Sequence, residues 1–318
     1  MLWRLLTIIL VLHLYGCSQS VQPPPPVVVA EPAAAPRPVK PAMQLVVLVS
    51  EDIPAYSGVA KAVTRLAGRR SSIRQLGASP TENLRTVSAY GNEERRQFVS
   101  VGLNASVAAK ALANRQVVFC QVFNYQDHAL LSSLHKGVSM TPSPQRLFAT
   151  WRTLAPNVTD IGLISGPGLE ELIQTARLAA RRYGITLHHV TVNSDKEFQY
   201  AYKQMAGKVQ GYWLLPDNRV LSGPALRDVM TFSVRNSKQV AVFSDDLLNL
   251  GGMFSVGIDV QDIAQHVLDR LEQGQDKDFL PGPDIVYPDK LNLHINAVMA
   301  QRLGLTIPAS LKKYADSP

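Results

Sequence analysis

Short apolar runs alternate with amphipathic stretches from residue 44 onward. LVVLV at 45–49 predicts a buried strand, since a short, β-branched, continuously apolar run leaves no face for water. A helical segment follows around 54–67. QFVSVG (97–102) predicts a strand, NASVAAKALA (104–113) a helix and QVVFCQVF (116–123) another strand. DIGLIS (160–165) leads into residues 169–183, where Leu169, Leu172, Ile173, Ala176, Ala180 and Tyr183 recur on one helical face. Gly184 suits a left-handed C-cap before the strand ITLHHVTV (185–192). The series continues with GYWLLP (211–216), a helix near 222–236 and QVAVFS (239–244). A helix at 260–273 places Val260, Ile263, Ala264, Val267, Leu268 and Leu271 on one face.

Apolar strands alternating with helices predict the α/β class, with parallel sheets covered on both sides. Two such series, before and after about residue 144, predict two Rossmann-like lobes joined by a hinge. The prolines of MTPSP (140–144) mark the crossover. The expected divisions are lobe 1 over 43–143, lobe 2 over 144–253, a helix returning to lobe 1 over 254–275, and a C-terminal strand and helix on lobe 2 over 276–318. Open α/β sheets bind ligands beyond the carboxyl ends of their strands. That rule selects loops 50–56, 102–106 and 121–125 in lobe 1, and 165–168, 217–218 and 244–246 in lobe 2. Lobes facing each other across such loops form a cleft that closes by a hinge.

The first 42 residues break the pattern. A basic start at Arg4, an apolar core over 5–14 and a small Gly16 have the anatomy of a signal peptide for 1–16, too short to span a bilayer as a helix. Leu14-Tyr15-Gly16-Cys17 resembles the bacterial lipobox, although Tyr15 is larger than the residue usual there. The resemblance implies cleavage before Cys17 and lipidation of that cysteine, and several acyl chains hold firmly where one is marginal. Ser18 resembles an outer-membrane sorting signal. Residues 17–42 are a lipidated cysteine and a Pro/Ala-rich tether, expected in extended polyproline II form. At about 3.1 Å per residue it reaches roughly 75 Å. This places the protein in the cell envelope, lipid-anchored and facing the periplasm.

The composition, 46% hydrophobic and 18% charged, suits a soluble globular domain beyond the tether. The net charge of +7 falls by one when Arg4 leaves with the signal. Its basic residues are scattered among separate elements, and no aromatic-interleaved basic stripe points to nucleic acid. With Cys17 lipidated, Cys120 has no partner for a disulfide, and its place in QVVFC suits a buried structural thiol.

Three segments carry a family likeness: GYWLLPDNRV, GIDVQDIAQHVLDRLEQGQ and LNLHINAVMAQRLGLTIPASLKKYAD. SVGLNASVAAKAL matches more weakly. Together they resemble the ABC-transporter substrate-binding proteins of the periplasmic-binding type I fold, over about 44–316. The resemblance implies a small-molecule solute, a partner permease and no cofactor. It fails after residue 123, where NYQDHALLSSLHKGVSM keeps neither the Asp-Pro pair nor the Gly-Asn-x-Thr-Gly segment usual in the family. Leu103 and Asn104 also replace small hydroxyl residues. The lobe-one half of the pocket is therefore expected to be remodelled.

The site expected from these loops holds Asp217 and Asn218, an acid beside an amide suited to a ligand ammonium and its polar neighbours. Tyr56, Phe123 and Tyr125 offer stacking faces. Asn104 and Ser106 open a helix whose N–H groups suit a carboxylate, or serve as caps. Ser50 and Ser165 end strands facing the cleft. Asp245 and Asp246 suit a strand end. His188 and His189 alternate faces on a strand and cannot converge on one metal. No G-x-S-x-G elbow, H-E-x-x-H helix or phosphate loop is present, and two unaccompanied S-x-x-K matches, at 133–136 and 310–313, carry no catalytic weight. The reading is a non-enzymatic, lipid-anchored solute-binding protein of an ABC importer, taking a small polar or amphipathic, amino-acid-like ligand. The alternative is an outer-membrane lipoprotein using the same fold as a protein-interaction or cell-wall regulatory module, which Ser18 and the long tether favour.

Overall fold

The computed structural model describes residues 44–91, 96–275 and 277–316. The expected signal peptide, Cys17 and the tether lie outside them. In chain order the first half holds β1 (Gln44–Val49), α1 (Pro54–Ala67), β2 (Ser71–Gln75), α2 (Pro80–Ser88), β3 (Arg96–Val101), α3 (Leu103–Ala109), β4 (Val117–Cys120) and β5 (His135–Val138). Then come α4 (Pro144–Leu154), β6 (Asp160–Ser165), α5 (Glu170–Arg182), β7 (Thr186–Thr191), α6 (Asp195–Met205), β8 (Gly211–Trp213), α7 (Gly223–Arg235), β9 (Gln239–Val242) and β10 (Phe254–Ile258). The chain ends with α8 (Val260–Gly274), β11 (Ile285–Val286), β12 (Leu291–Asn296), α9 (Ala297–Arg302) and β13 (Ala315–Asp316).

These strands form two sheets, in the orders β11-β5-β4-β3-β1-β2 and β13-β12-β10-β9-β8-β6-β7. The first is parallel throughout; in the second, β12 runs antiparallel to β10. The continuous apolar runs become the central strands because both faces are covered. Val47 and Val49 of β1 join one cluster, and Val46 and Leu48 join another on the opposite face. The second sheet likewise divides Leu163 and Ile164 between two clusters.

The chain crosses between the sheets three times: at 139–143, at Asp259, and at 287–290. After the second crossing α8 lays Ile263, Ala264, Val267 and Leu271 into the cluster that holds Val59 and Val63 of α1. The crossings are bonded together. Asp259 caps α8 by accepting from the Asp262 N–H at 2.9 Å, and Asp262 accepts from the Lys290 N–H at 2.8 Å. The C-terminal stretch divides between sheets where the sequence suggested otherwise: β10, within 254–275, lies in the second sheet, and β11, within 276–318, pairs with β5 in the first.

Candidate functional site

A cavity of about 230 Å³ lies where the crossings meet the ends of the central strands. Lobe one contributes Ala55 and Gln121, the crossing at 139–143 contributes Met140 and Thr141, and the end of β10 contributes Ile258. Lobe two contributes Leu147, Trp213 and Leu215, all nearly inaccessible to solvent. Its walls follow from strands that stop early. β4 ends at Cys120, and Gln121 turns away at φ 58°, an uncommon conformation for a residue with a side chain. β8 ends at Trp213; the Leu214 N–H still bonds the Ala241 carbonyl at 3.0 Å, and 214–216 form a wall of the cavity.

Beside this cavity Asp217 is 2% exposed. Its carboxylate accepts from the Gly166 N–H at 2.8 Å, from Arg219 Nε at 2.7 Å and Nη2 at 2.9 Å, and more weakly from the Arg219 N–H at 3.3 Å. The fork of a guanidinium suits two carboxylate oxygens at once. Arg219 Nη1 also donates to the Pro167 carbonyl at 2.9 Å and to the carboxylate of Asp127. Asp127 belongs to the loop between β4 and β5, so the guanidinium joins the lobes. The hydrogen-bonded Asp217 carboxylate, with Asp127 nearby, holds Arg219 above its ordinary pKa against the opposing effect of burial. The close approach depends on Gly168 at φ 78°, where a Cβ would lie 2.7 Å from Asp127 Oδ1. The ammonium position expected at Asp217 is thus taken by the chain's own cation.

The lobe-one candidates are built into the loop rather than aimed at the cavity. Ser50 is 1% exposed, and its Oγ accepts from the Ala105 N–H at 2.8 Å. Ser106 is buried, donating to the Gly102 carbonyl at 2.8 Å and lying 3.0 Å from Ser100 Oγ. Gly102, at φ 86°, lets these pieces meet, since a Cβ there would come within 2.7 Å of Ser50 Oγ and the Tyr56 ring. Burial, with Glu51 alongside, raises the Tyr56 phenol above its ordinary pKa. Asn104 reaches Glu51 at 3.4 Å.

Phe123 packs against the lobe-two core, and Tyr125 is buried with its ring 5.7 Å from that of Phe119. Both line a narrow second cavity with Leu169 and Tyr287. Ser165 Oγ donates to the Gly166 carbonyl and lies 3.0 Å from His189 Nε2, in a different pocket beside α5. Asn218 is exposed. Asp245 bonds Ser255 and lies 2.9 Å from His294. His188 instead meets Asp160, so the adjacent histidines serve separate partners. Cys120 is fully buried, which pushes its thiol up to about 12. The sequence left Arg219, Asp127 and the apolar crossing residues unremarked. Arg219 was findable, two places after Asp217 in PDNR, whereas Asp127 required the fold.

Two lobes, three crossings and a cavity at the hinge define an α/β binding protein of two-lobed type. Residues 129–318 match the ABC transporter substrate binding protein family, and the chain belongs to it. Solved structures share the fold. A conserved domain protein from Vibrio cholerae is 20% identical, with 87% of this chain and 99% of that one covered at a TM-score of 0.59. An ABC domain in complex with L-Trp from Streptococcus pneumonia is 21% identical, with 86% and 98% covered at 0.60. The ligand-free, open form of a substrate-binding protein with adhesive properties from Clostridium difficile is 14% identical, with 87% and 99% covered at 0.62. No curated protein matches the chain. No helix among the described residues is long and apolar enough to cross a membrane.

Proposed function

We propose that this protein is a lipid-anchored receptor that closes its two lobes around a small molecule and presents it to an ABC importer. The observation that carries the reading is the hinge cavity, which takes walls from both lobes and from the crossing at 139–143 at once. A solute there stabilises one relative placement of the lobes, and no chemical step is needed. Family membership and the L-Trp complex of the pneumococcal relative support a small ligand. Cys17, acylated after signal cleavage, is the anchor, and Ser18 favours the outer membrane. In this reading Tyr56, Phe123 and Asn218 flank the solute's path. Ser50, Asn104, Ser106, Tyr125 and Ser165 shape the loops, and Asp217 with Arg219 orders the lobe-two wall.

The test is a thermal-shift screen of the full chain against amino acids, small peptides, purines, sugars and neutral aromatics. A solute at a hundred times its dissociation constant stabilises the fold by about 2.7 kcal/mol, a rise of several degrees. Silence from every class, with a cooperative unfolding transition intact, would remove the receptor reading in favour of an interaction module tethered to the outer membrane.

A further inference from the structure

We infer that the hinge cavity takes an uncharged, largely apolar ring carrying one hydrogen-bonding group, and rejects zwitterions bearing the same ring. The inference rests on the receptor reading and names its solute class. None of the residues lining the cavity is an acid, a base or a histidine. Its side-chain polarity comes from Gln121, Thr141 and the indole N–H of Trp213, and the Thr141 hydroxyl is already 3.0 Å from Ser139 Oγ. The Gln121 amide is left to orient a ligand, offering one acceptor and two donors. Its backbone is held at φ 58° at the end of β4, and strained residues of this kind collect where a ligand is gripped.

Charge is satisfied without a solute. The four hydrogen bonds to Asp217 use the capacity of both its oxygens, and three nitrogens of Arg219 are committed to Asp217, Asp127 and Pro167. An ammonium arriving at Asp217 would have to displace a bidentate guanidinium. An amino acid in the cavity would instead place both its charges in a lining that holds no acid, base or histidine to pair with them. Burying an ionised group without a partner is far more costly than burying a polar one. Size sets the other bound. An apolar cavity of about 150 Å³ is known to take up benzene, so one of about 230 Å³ admits a fused bicyclic ring. The indole of Trp213 supplies an aromatic wall, a frequent feature of such sites.

The experiment is calorimetric titration of the full chain with indole and, separately, with L-tryptophan, which adds only the charged amino-acid portion to the same ring. Indole is expected to bind at least tenfold more tightly. Ala55→Trp at the exposed rim and Met140→Trp on the wall are each expected to weaken indole at least tenfold. The rim variant keeps the test valid should the wall variant fail to fold. Tighter binding of L-tryptophan overturns the inference and leaves the receptor reading standing. Binding of indole that is indifferent to a folded rim variant and a folded wall variant places it elsewhere and also overturns the inference. No binding of either compound removes the inference, while the wider solute screen decides the receptor reading separately.

Discussion

Asp217 has almost no exposure to water yet carries a full set of hydrogen bonds, so its charge depends on neighbours two and fifty-one residues away. Asp217→Asn removes the charge opposite Arg219 and keeps one acceptor oxygen, so the amide NH2 is left facing a donor, either the Gly166 N–H with Arg219 Nη2 or Arg219 Nε. Removing one partner of a buried pair costs about 3–5 kcal/mol, and the partial exposure of Arg219 argues for the lower end, about 3 kcal/mol. Urea unfolding should show a lower midpoint at unchanged slope; an unshifted midpoint would mean that the pair contributes nothing to stability. Two histidines give a second residue-scale expectation. Burial lowers the pKa of His135 and of His189 below the ordinary 6.5. In the unfolded chain both take up protons as pH falls through about 6.5, while in the fold they stay neutral to lower pH. Stability from these groups is therefore present above that pH and lost progressively below it. The double variant His135→Gln with His189→Gln should flatten the fall in melting temperature between pH 7 and 5, and an equally steep fall would assign the acid sensitivity to other groups.

At the scale of elements, Asn296 shows how a short sequence signature becomes structure. It is 6% exposed at the end of β12, its Oδ1 accepts from the Met299 N–H at 2.9 Å to cap α9, and its Nδ2 donates to the Leu248 carbonyl at 2.9 Å. Asn296→Ala should cost about 1–2 kcal/mol for the lost cap, with the Leu248 carbonyl left short of a donor; hydrogen exchange should report faster opening at 297–299 than elsewhere in lobe two. Uniform exchange would show that the cap is not what secures α9. β1, β3, β4, β6, β7, β8 and β9 and the helices α1, α5, α7 and α8 were legible because burial writes apolar periodicity into the chain, whereas β10, inside the second sheet, fell in a stretch read as a helix. β2 was not, because it is an edge strand whose SSIRQ is mostly exposed. β5 was not either, since HKGV is buried while carrying His135 and Lys136, whose polar ends find carbonyls of Leu112 and Gly282. Ends of strands were overestimated at 121–123, where Gln121 lines the hinge cavity and Val122 and Phe123 line the second one, and at 214–216, where only the Leu214 N–H still bonds the neighbouring strand. The loops that hold the candidate residues were readable from strand order alone, but their hydrogen-bond partners were not.

For the whole molecule, the contact between Arg219 and Asp127 links two lobes that the chain otherwise joins through three crossings. Asp127 is about one-third exposed and Arg219 about one-fifth, so the pair is partly screened by water. Exposed pairs contribute about 0–1 kcal/mol. Even that is enough to shift an open–closed equilibrium severalfold when the two states are close in energy. Asp127→Ala removes the link and keeps the Asp217–Arg219 pair intact, so lobe two itself should remain as stable as before. Small-angle scattering of the variant should give a larger radius of gyration than the wild type without solute, and saturating solute should bring the two together. Salt offers an independent check, because the screening length falls to about 3 Å at 1 M and should open the wild type toward the variant. If the profiles of wild type and variant coincide at low salt, the lobes are held by the packing of Phe123 against the lobe-two core, and the ion pair merely decorates a closure set by apolar contact.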